Sequence, residues 1–473
     1  MRLSRLMPSP ALALSLALAA APPSSPAMAA SPVPTPAPAV PYLGADLSFT
    51  NEMADCGAIF TDGGQPANPF QILSRHGGNL ARIRIWNNPD WTRYSTLDDV
   101  KKSIRLAHEA GLRVLLDFHY SDDWADGDNQ PIPKAWEGLD QAHLIQAVHD
   151  FTRDTLAALA AEDLTPDMVQ VGNETNGEIL RAAKTEGKPI RWARNAALLN
   201  AGIKAVREAA AATGHPIRVM LHVAQPENLE TWFADAEAAG VTDFDIIGLS
   251  YYRKWSRQPM AVMGRTVNRM ATRFGKQVLL VETAYPWTLE PSSASPSVLG
   301  EDSLDPAYPA TPAGQRSYLL DVTRTTIANG GLGVVYWAPD WVATRCRTRW
   351  GEGTTWGNAA LFDYGARHAA LPGWDYVGAT YPTPVPVTFR LAVPAGVTPY
   401  FWADFLDNGA GGFPVKATDG ELEIHTTVMP GTIIHYQLFD GPGLEHPLLP
   451  AAKDGVASRT ITTATTVTQK AGR

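Results

Sequence analysis

From Tyr42 onward the chain alternates short runs of aliphatic, β-branched and aromatic residues with longer stretches in which apolar positions recur at helical spacing. Eight short runs stand out: YLGADLSF (Tyr42 to Phe49), LARIRIW (Leu80 to Trp86), LRVLLDFH (Leu112 to His119), MVQVGN (Met168 to Asn173), IRVMLH (Ile217 to His222), FDIIGLS (Phe244 to Ser250), QVLLVET (Gln277 to Thr283) and GVVYWA (Gly333 to Ala338). Between the second and third, Leu97, Val100, Ile104 and Ala107 share one helical face while Asp98, Lys101, Lys102 and Arg105 turn outward. Strand runs alternating with helical ones predict βα units and a parallel sheet. Eight such units predict an α/β fold, the (β/α)8 or TIM barrel, which takes about 250 residues and tolerates loop insertions. An open doubly wound sheet is the competing arrangement. It is disfavoured because no Gly-x-Gly-x-x-Gly fingerprint follows the first strand.

The pattern changes at both ends. Arg2 and Arg5, the apolar run from Ala11 to Ala21 and the small-x-small triplet Ala27-Met28-Ala29 predict a signal peptide over residues 1–29. That run falls short of the roughly 20 residues a membrane span needs, and no later segment qualifies. A secreted or periplasmic protein with no membrane partner is expected. Residues 30–41 form a Pro-rich linker, and the barrel is assigned to 42–380. After PTPVP (Pro382 to Pro386), four strand-like runs predict a small antiparallel β-module over 386–442. Tyr400, Phe401 and Trp402 are read as core of its sheet rather than as a sugar site. Residues 443–473, Thr-rich and without a packing pattern, are expected to be disordered.

Composition narrows the partner. A net charge of -9 gives no basic field for nucleic acid, anionic lipid or a polyanionic glycan. Fourteen tryptophans in a chain only 18% charged suit stacking on a neutral polysaccharide, although most tryptophans are simply core. A monomer is expected.

Chemistry in such barrels sits at the C-terminal strand ends. Here those ends carry Asp46, Arg84 with Trp86, Asp117 with His119, Asn173 with Glu174, His222, Tyr251 with Tyr252, Glu282, and Trp337. No phosphate-binding glycines and no His-x-His or His-Glu-x-x-His spacing accompany them, so carboxylates and aromatics remain. Glycosidic bond cleavage needs two carboxyls, one to protonate the leaving oxygen and one to attack the anomeric carbon or activate water. Glu174 and Glu282 are the candidates. A lone strand-end glutamate is more often an ion-pair partner or helix cap; Asn-Glu after the fourth strand with Glu after the seventh is far more specific. Arg84 is expected beside Glu282, keeping it ionised.

From about Gly44 to Tyr376 the chain resembles glycoside hydrolase family 53, the endo-β-1,4-galactanases, within the clan of retaining (β/α)8 glycosidases. The resemblance rests on GADLSFTNEM, RIRIWNNP, LLDFHYSDDWAD, VQVGNETNGEIL, LHVAQPEN, FDIIGLSYY, LLVETAYPW, VVYWAPDW and TTWGNAALFD. It implies Glu174 as acid/base and Glu282 as nucleophile, with Asn173, Arg84, His119, Tyr251 and Trp337 lining the subsites. Trp86, Asp117 and His222 at the strand ends, with Trp341 as a further stacking surface, complete the substrate-binding set. One departure is that Ala338 and Pro339 follow the last-strand tryptophan where the family often has an acidic residue.

Cys56 follows the first strand and Cys346 the eighth, neighbours once the barrel closes, so a disulfide is preferred over two free buried thiols. No cofactor and no metal are expected, with calcium as the alternative that no ligand motif supports. Asp122, Asp123, Asp126 and Asp128 suggest calcium, but Trp124 spoils the EF-hand spacing. The loop Trp287 to Gln315, with Glu301, Asp302 and Asp305, supplies no ligand motif either. The expected activity is endo-hydrolysis of β-1,4-galactan, with mannan, xylan or glucan as alternative substrates and a non-catalytic carbohydrate-binding barrel as the alternative class.

Overall fold

The computed structural model describes residues 40–470 apart from 186, 349–350, 408, 410, 444 and 450–456. The signal peptide and nearly all of the linker read from the sequence lie outside the described residues.

Eight parallel strands close a barrel: β1 (Tyr42–Asp46), β2 (Leu80–Ile85), β3 (Arg113–Phe118), β4 (Met168–Val171), β5 (Arg218–Ala224), β6 (Ile246–Ser250), β7 (Gln277–Thr283) and β8 (Gly333–Tyr336). Each pairs with its sequence neighbour, and β1 pairs with β8 to complete the ring. Two short helices, α1 (Thr50–Asp55) and α2 (Pro69–Arg75), link β1 to β2. The remaining crossovers are α3 (Leu97–Glu109), α4 (Gln141–Ala160), α5 (Trp192–Thr213), α6 (Pro226–Ala238), α7 (Met260–Phe274) and α8 (Pro312–Ala328). All eight runs read from the sequence are strands of this ring. On α3, Val100, Ile104 and Ala107 are buried as the pattern predicts.

Local chemistry sets the helix ends. Asp140 accepts the His143 N–H at 2.9 Å to start α4, and Thr311 with Pro312 starts α8. Gly214 and Gly275 end α5 and α7 in the left-handed conformation that glycine adopts without penalty.

The barrel interior is apolar at its base and polar at its mouth. Tyr42, Leu80, Leu115, Met168, Met220, Ile246, Leu279 and Val335 fill the lower layers, all buried. Strand side chains alternate faces, so stepping along β2 from Leu80 puts Arg82 and then Arg84 inside, one layer above another.

Beyond the barrel, a three-stranded sheet holds β9 (Val385–Ala392), β12 (Glu421–Val428) and β15 (Thr465–Lys470). It faces a four-stranded sheet of β10 (Pro399–Ala403), β11 (Phe413–Pro414), β13 (Thr432–Asp440) and β14 (Ala457–Ile461). Phe389, Phe401, Leu438 and Val467 are among the side chains closing the core between them. Tyr400 and Trp402, on the other face of β10 from Phe401, are half-buried.

Of the segment 443–473 expected to be disordered, the described stretch from Ala457 to Lys470 is ordered as strands. β14 pairs with β13, and β15 lies parallel to β9, with Ile461 and Val467 buried. Threonine favours strands, and two isolated apolar positions suffice to anchor strands this short. The sandwich is fastened to α7: Arg269 donates to the carbonyls of Leu406 and Asp407 at 3.0 Å, and Asn268 donates to that of Thr427 at 2.7 Å.

Candidate active site

One guanidinium organises the barrel mouth. Arg82, 1% exposed, reaches Asp46 and Asp117 at 2.9 Å and Glu282 at 2.7 Å, and donates to Asn173 Oδ1 at 2.7 Å and Gln170 Oε1 at 3.2 Å. Burial alone would lower its pKa, but Asp117, Glu282 and Asp46 outweigh it and raise the value. The arginine expected beside Glu282 was Arg84. It occupies the next layer, where its Nε donates to Ser95 at 3.1 Å and its plane lies over Phe49, Trp86 and Trp124. The sequence reading chose the last arginine of the strand, and the interior position two residues earlier is the one that faces the carboxylates.

Glu282 is held at both oxygens. Oε1 meets Arg82, and Oε2 accepts the Tyr252 hydroxyl at 2.9 Å. Tyr251, which the resemblance implied as a subsite residue, is fully buried on the helix side with its hydroxyl on the Gln258 carbonyl at 2.8 Å. Alternation explains the exchange: Gly248, Ser250 and Tyr252 fall on the inner face, and Tyr251 on the outer.

Glu174 follows β4 with a φ of +42° and keeps an accessible edge in the cleft. The Gly127 N–H points at its Oε2 from 3.4 Å. Burial raises its pKa first, opposed by the Ser250 hydroxyl, and the Asp126 charge adds to the rise. Burial also raises Glu282, against the pull of Arg82. Both Glu282 oxygens face donors, Arg82 and Tyr252, whereas Glu174 receives weaker help. A single proton shared by the pair therefore sits on Glu174, and Glu282 is the carboxylate.

The histidines are neutral supports. Burial lowers the pKa of both, against the pull of Asp117. His119 accepts the Ala125 N–H at Nδ1 (3.1 Å), so Nε2 carries the hydrogen that donates to Asp117 at 3.0 Å. His222 accepts at Nδ1 from Gln170 at 3.0 Å and the Glu174 N–H at 3.2 Å, and donates from Nε2 to Ser250 at 2.8 Å.

A cleft of about 1040 Å³ is lined by Glu174, Glu282, Asn173, Tyr252, Trp124, Trp255, Trp337 and Trp356, among others. An apolar recess of about 290 Å³ continues between Trp124, Trp337, Trp341 and Trp356. Asp117, His222 and Trp86, expected to touch substrate, lie beneath this floor: the first two are fully buried, and Trp86 packs against Arg84 and Trp124. The Cys56–Cys346 disulfide is formed, with 5.5 Å between the Cα atoms, joining the end of α1 to the loop after β8. Among the described residues no three His, Cys, Asp or Glu side chains are grouped to hold a metal ion. Asp302 pairs with Lys254 and Asp305 with Arg253.

Residues 42–375 match the family model for glycosyl hydrolase family 53. The chain belongs to that family. It is 49% identical over 343 residues to the arabinogalactan endo-β-1,4-galactanase of Cellvibrio japonicus, covering 72% of this chain and 91% of that protein. The family 53 catalytic domain of Ignisphaera aggregans superposes with a TM-score of 0.65 at 30% identity, over 74% of this chain and 99% of that one. A fungal β-1,4-galactanase structure gives 0.61 at 26% identity, over 72% and 99%. The β-sandwich lies outside the matched family region.

Within the family frame, four features of the mouth escaped the sequence reading. Arg82 was legible from period-two alternation, as was Gln170 on β4; of the strand-end pair Tyr251 and Tyr252, it is Tyr252 that enters the mouth. Trp255 and Trp356 stand on loops, and no periodicity points to either.

Proposed function

We propose that the protein is an endo-acting β-1,4-galactanase of pectic arabinogalactan side chains, working outside the cytoplasm by double displacement with retention of configuration. The observation that carries this is the pair of carboxyls in one cleft with opposite surroundings: Glu282 gripped by Arg82 and Tyr252, and Glu174 set against the Gly127 N–H and the Ser250 hydroxyl, its pKa raised by burial and by the Asp126 charge. The family membership and the name of the Cellvibrio relative support galactan as the substrate.

In this mechanism a neutral galactan lies along the cleft with indole faces, Trp337 first, beneath its sugars. Glu174 gives its proton to the leaving oxygen as Glu282 attacks the anomeric carbon, forming a glycosyl ester. Neutralising Glu282 removes the negative charge near Glu174, whose pKa falls in response. The Glu174 carboxylate then takes a proton from water as that water attacks the ester, and Glu282 is released. Arg82 and Tyr252 hold one Glu282 oxygen each, which fixes the rotamer that attacks.

The test is reducing-end release from debranched β-1,4-galactan, alongside mannan, xylan and cellulose, with Glu282→Gln as control. Release from galactan that disappears in the control supports the proposal. Release from another glycan instead would move the substrate assignment, and silence on all four would favour a binding role.

A further inference from the structure

Glu174 sits in the left-handed region of backbone space, which side-chain-bearing residues disfavour, so neighbouring contacts must hold it there. Two are main-chain bonds: the Thr175 N–H donates to the His222 carbonyl at 2.8 Å, and the Asn176 N–H donates to that of Glu174 at 2.7 Å. The third comes from a loop far off in sequence. Gln130, 2% exposed, places its Nε2 at 2.8 Å from the Asn173 carbonyl and 3.2 Å from that of Glu174. The same nitrogen lies 2.7 Å from the Asp126 carbonyl. Asp126 adjoins Gly127, whose N–H faces the Glu174 carboxyl, and the Gln130 carbonyl accepts the Arg181 N–H at 2.7 Å from the loop after β4. One buried amide thus sets the main chain of Glu174 in register with the loop that faces its carboxyl.

We infer that Gln130 is a positioning residue for the proton donor, aiming the Glu174 carboxyl at the leaving oxygen. This rests on the reading of Glu174 as the acid. Gln130 touches no substrate; it acts through the two peptide units that flank the Glu174 Cα. A misplacement of about 1 Å can cost about 100-fold in rate, and such a loss would fall on the step that needs the proton. Attack by Glu282 on a substrate with a good leaving group needs no proton and would be spared.

The experiment compares kcat/KM on β-1,4-galactan with kcat/KM on a dinitrophenyl β-galactobioside for wild type, Gln130→Met, Gln130→Glu and Glu174→Gln, with thermal unfolding recorded for each. Methionine keeps the length of the side chain and removes the donor. Gln130→Met is expected to lose about 100-fold on galactan and to stay within about threefold on the activated substrate. Gln130→Glu donates only when protonated, so its galactan activity is expected to shift toward acid pH; it carries the test if the methionine variant does not fold. Equal losses on both substrates, or none, would overturn the inference. A Glu174→Gln variant equally impaired on both would remove the acid assignment and this inference with it, an outcome distinct from failure confined to the Gln130 variants.

Discussion

Asp340 offers a quantitative check on the polar network behind the active site. It lies in the loop after β8, fully buried, with Oδ2 accepting the Thr50 hydroxyl at 2.6 Å and Oδ1 without a hydrogen-bond partner. Burial pushes its pKa from 3.8 to about 7; the Thr50 hydroxyl opposes the shift, and the Asp46 charge adds to it. The folded state therefore keeps a proton that the unfolded chain releases near pH 4. Stability contributed by this group is fully present below that pH, falls as pH rises, and is lost once pH passes about 7. About three pKa units correspond to roughly 4 kcal/mol. Asp340→Asn cannot titrate. At pH 4 it should be the less stable form by about 1–3 kcal/mol, because its amide buries N–H groups where no acceptor stands. From pH 4 to pH 8 the difference should move in favour of the variant by about 4 kcal/mol. Urea unfolding of both proteins at pH 4, 6 and 8 measures this, and other titrating groups cancel in the difference. A difference that does not change with pH would refute the reasoning.

Three further outcomes follow from the same network. Tyr252→Phe removes a buried hydrogen bond to the Glu282 carboxylate; kcat on galactan should fall by about 10- to 100-fold as the carboxylate loses its fixed rotamer, and denaturant unfolding should be easier by about 1.5–3 kcal/mol. Arg82→Met leaves Asp46, Asp117 and Glu282 without their shared counter-charge; a loss of about 3–5 kcal/mol or more is expected, read as a lowered melting temperature, whereas Arg84→Met should leave Glu282 labelling by an activated substrate intact. Replacing Cys56 and Cys346 together by Ser frees a loop of 290 residues, which on chain entropy should cost roughly 6 kcal/mol; denaturant unfolding against wild type checks it.

Much of this architecture was legible because two periodicities carry it. The eight barrel strands and the face of α3 follow from alternation and helical spacing, and Glu174 and Glu282 stand where a barrel places its chemistry. Asp46, Arg82, Asp117 and Gln170 form the buried layer beneath them. Arg84, placed from its strand end, and Tyr251, carried over from the family resemblance, lie elsewhere for one reason: the inner face and its layers decide which side chain reaches the carboxylates. Alternation carried through Leu80, Arg82 and Arg84, and through Gly248, Ser250 and Tyr252, gives the inner faces. Gln130, Trp255 and Trp356 were beyond reach, since irregular loops meet the site through tertiary packing alone. The strands at Ala457–Ile461 and Thr465–Lys470 were missed for a related reason, their few buried anchors (Ala457, Ile461 and Val467) being too sparse to form a pattern.

The most direct test of the central claim is covalent trapping. Incubating the protein with an activated 2-deoxy-2-fluoro-β-galactobioside, which slows hydrolysis of the glycosyl ester more than its formation, and then mapping the label by peptide mass spectrometry locates the nucleophile. One label per chain, on Glu282 and absent from Glu282→Gln, is the expected result. No adduct, together with inverted configuration in the first-formed product, or a label on another carboxylate, would contradict it.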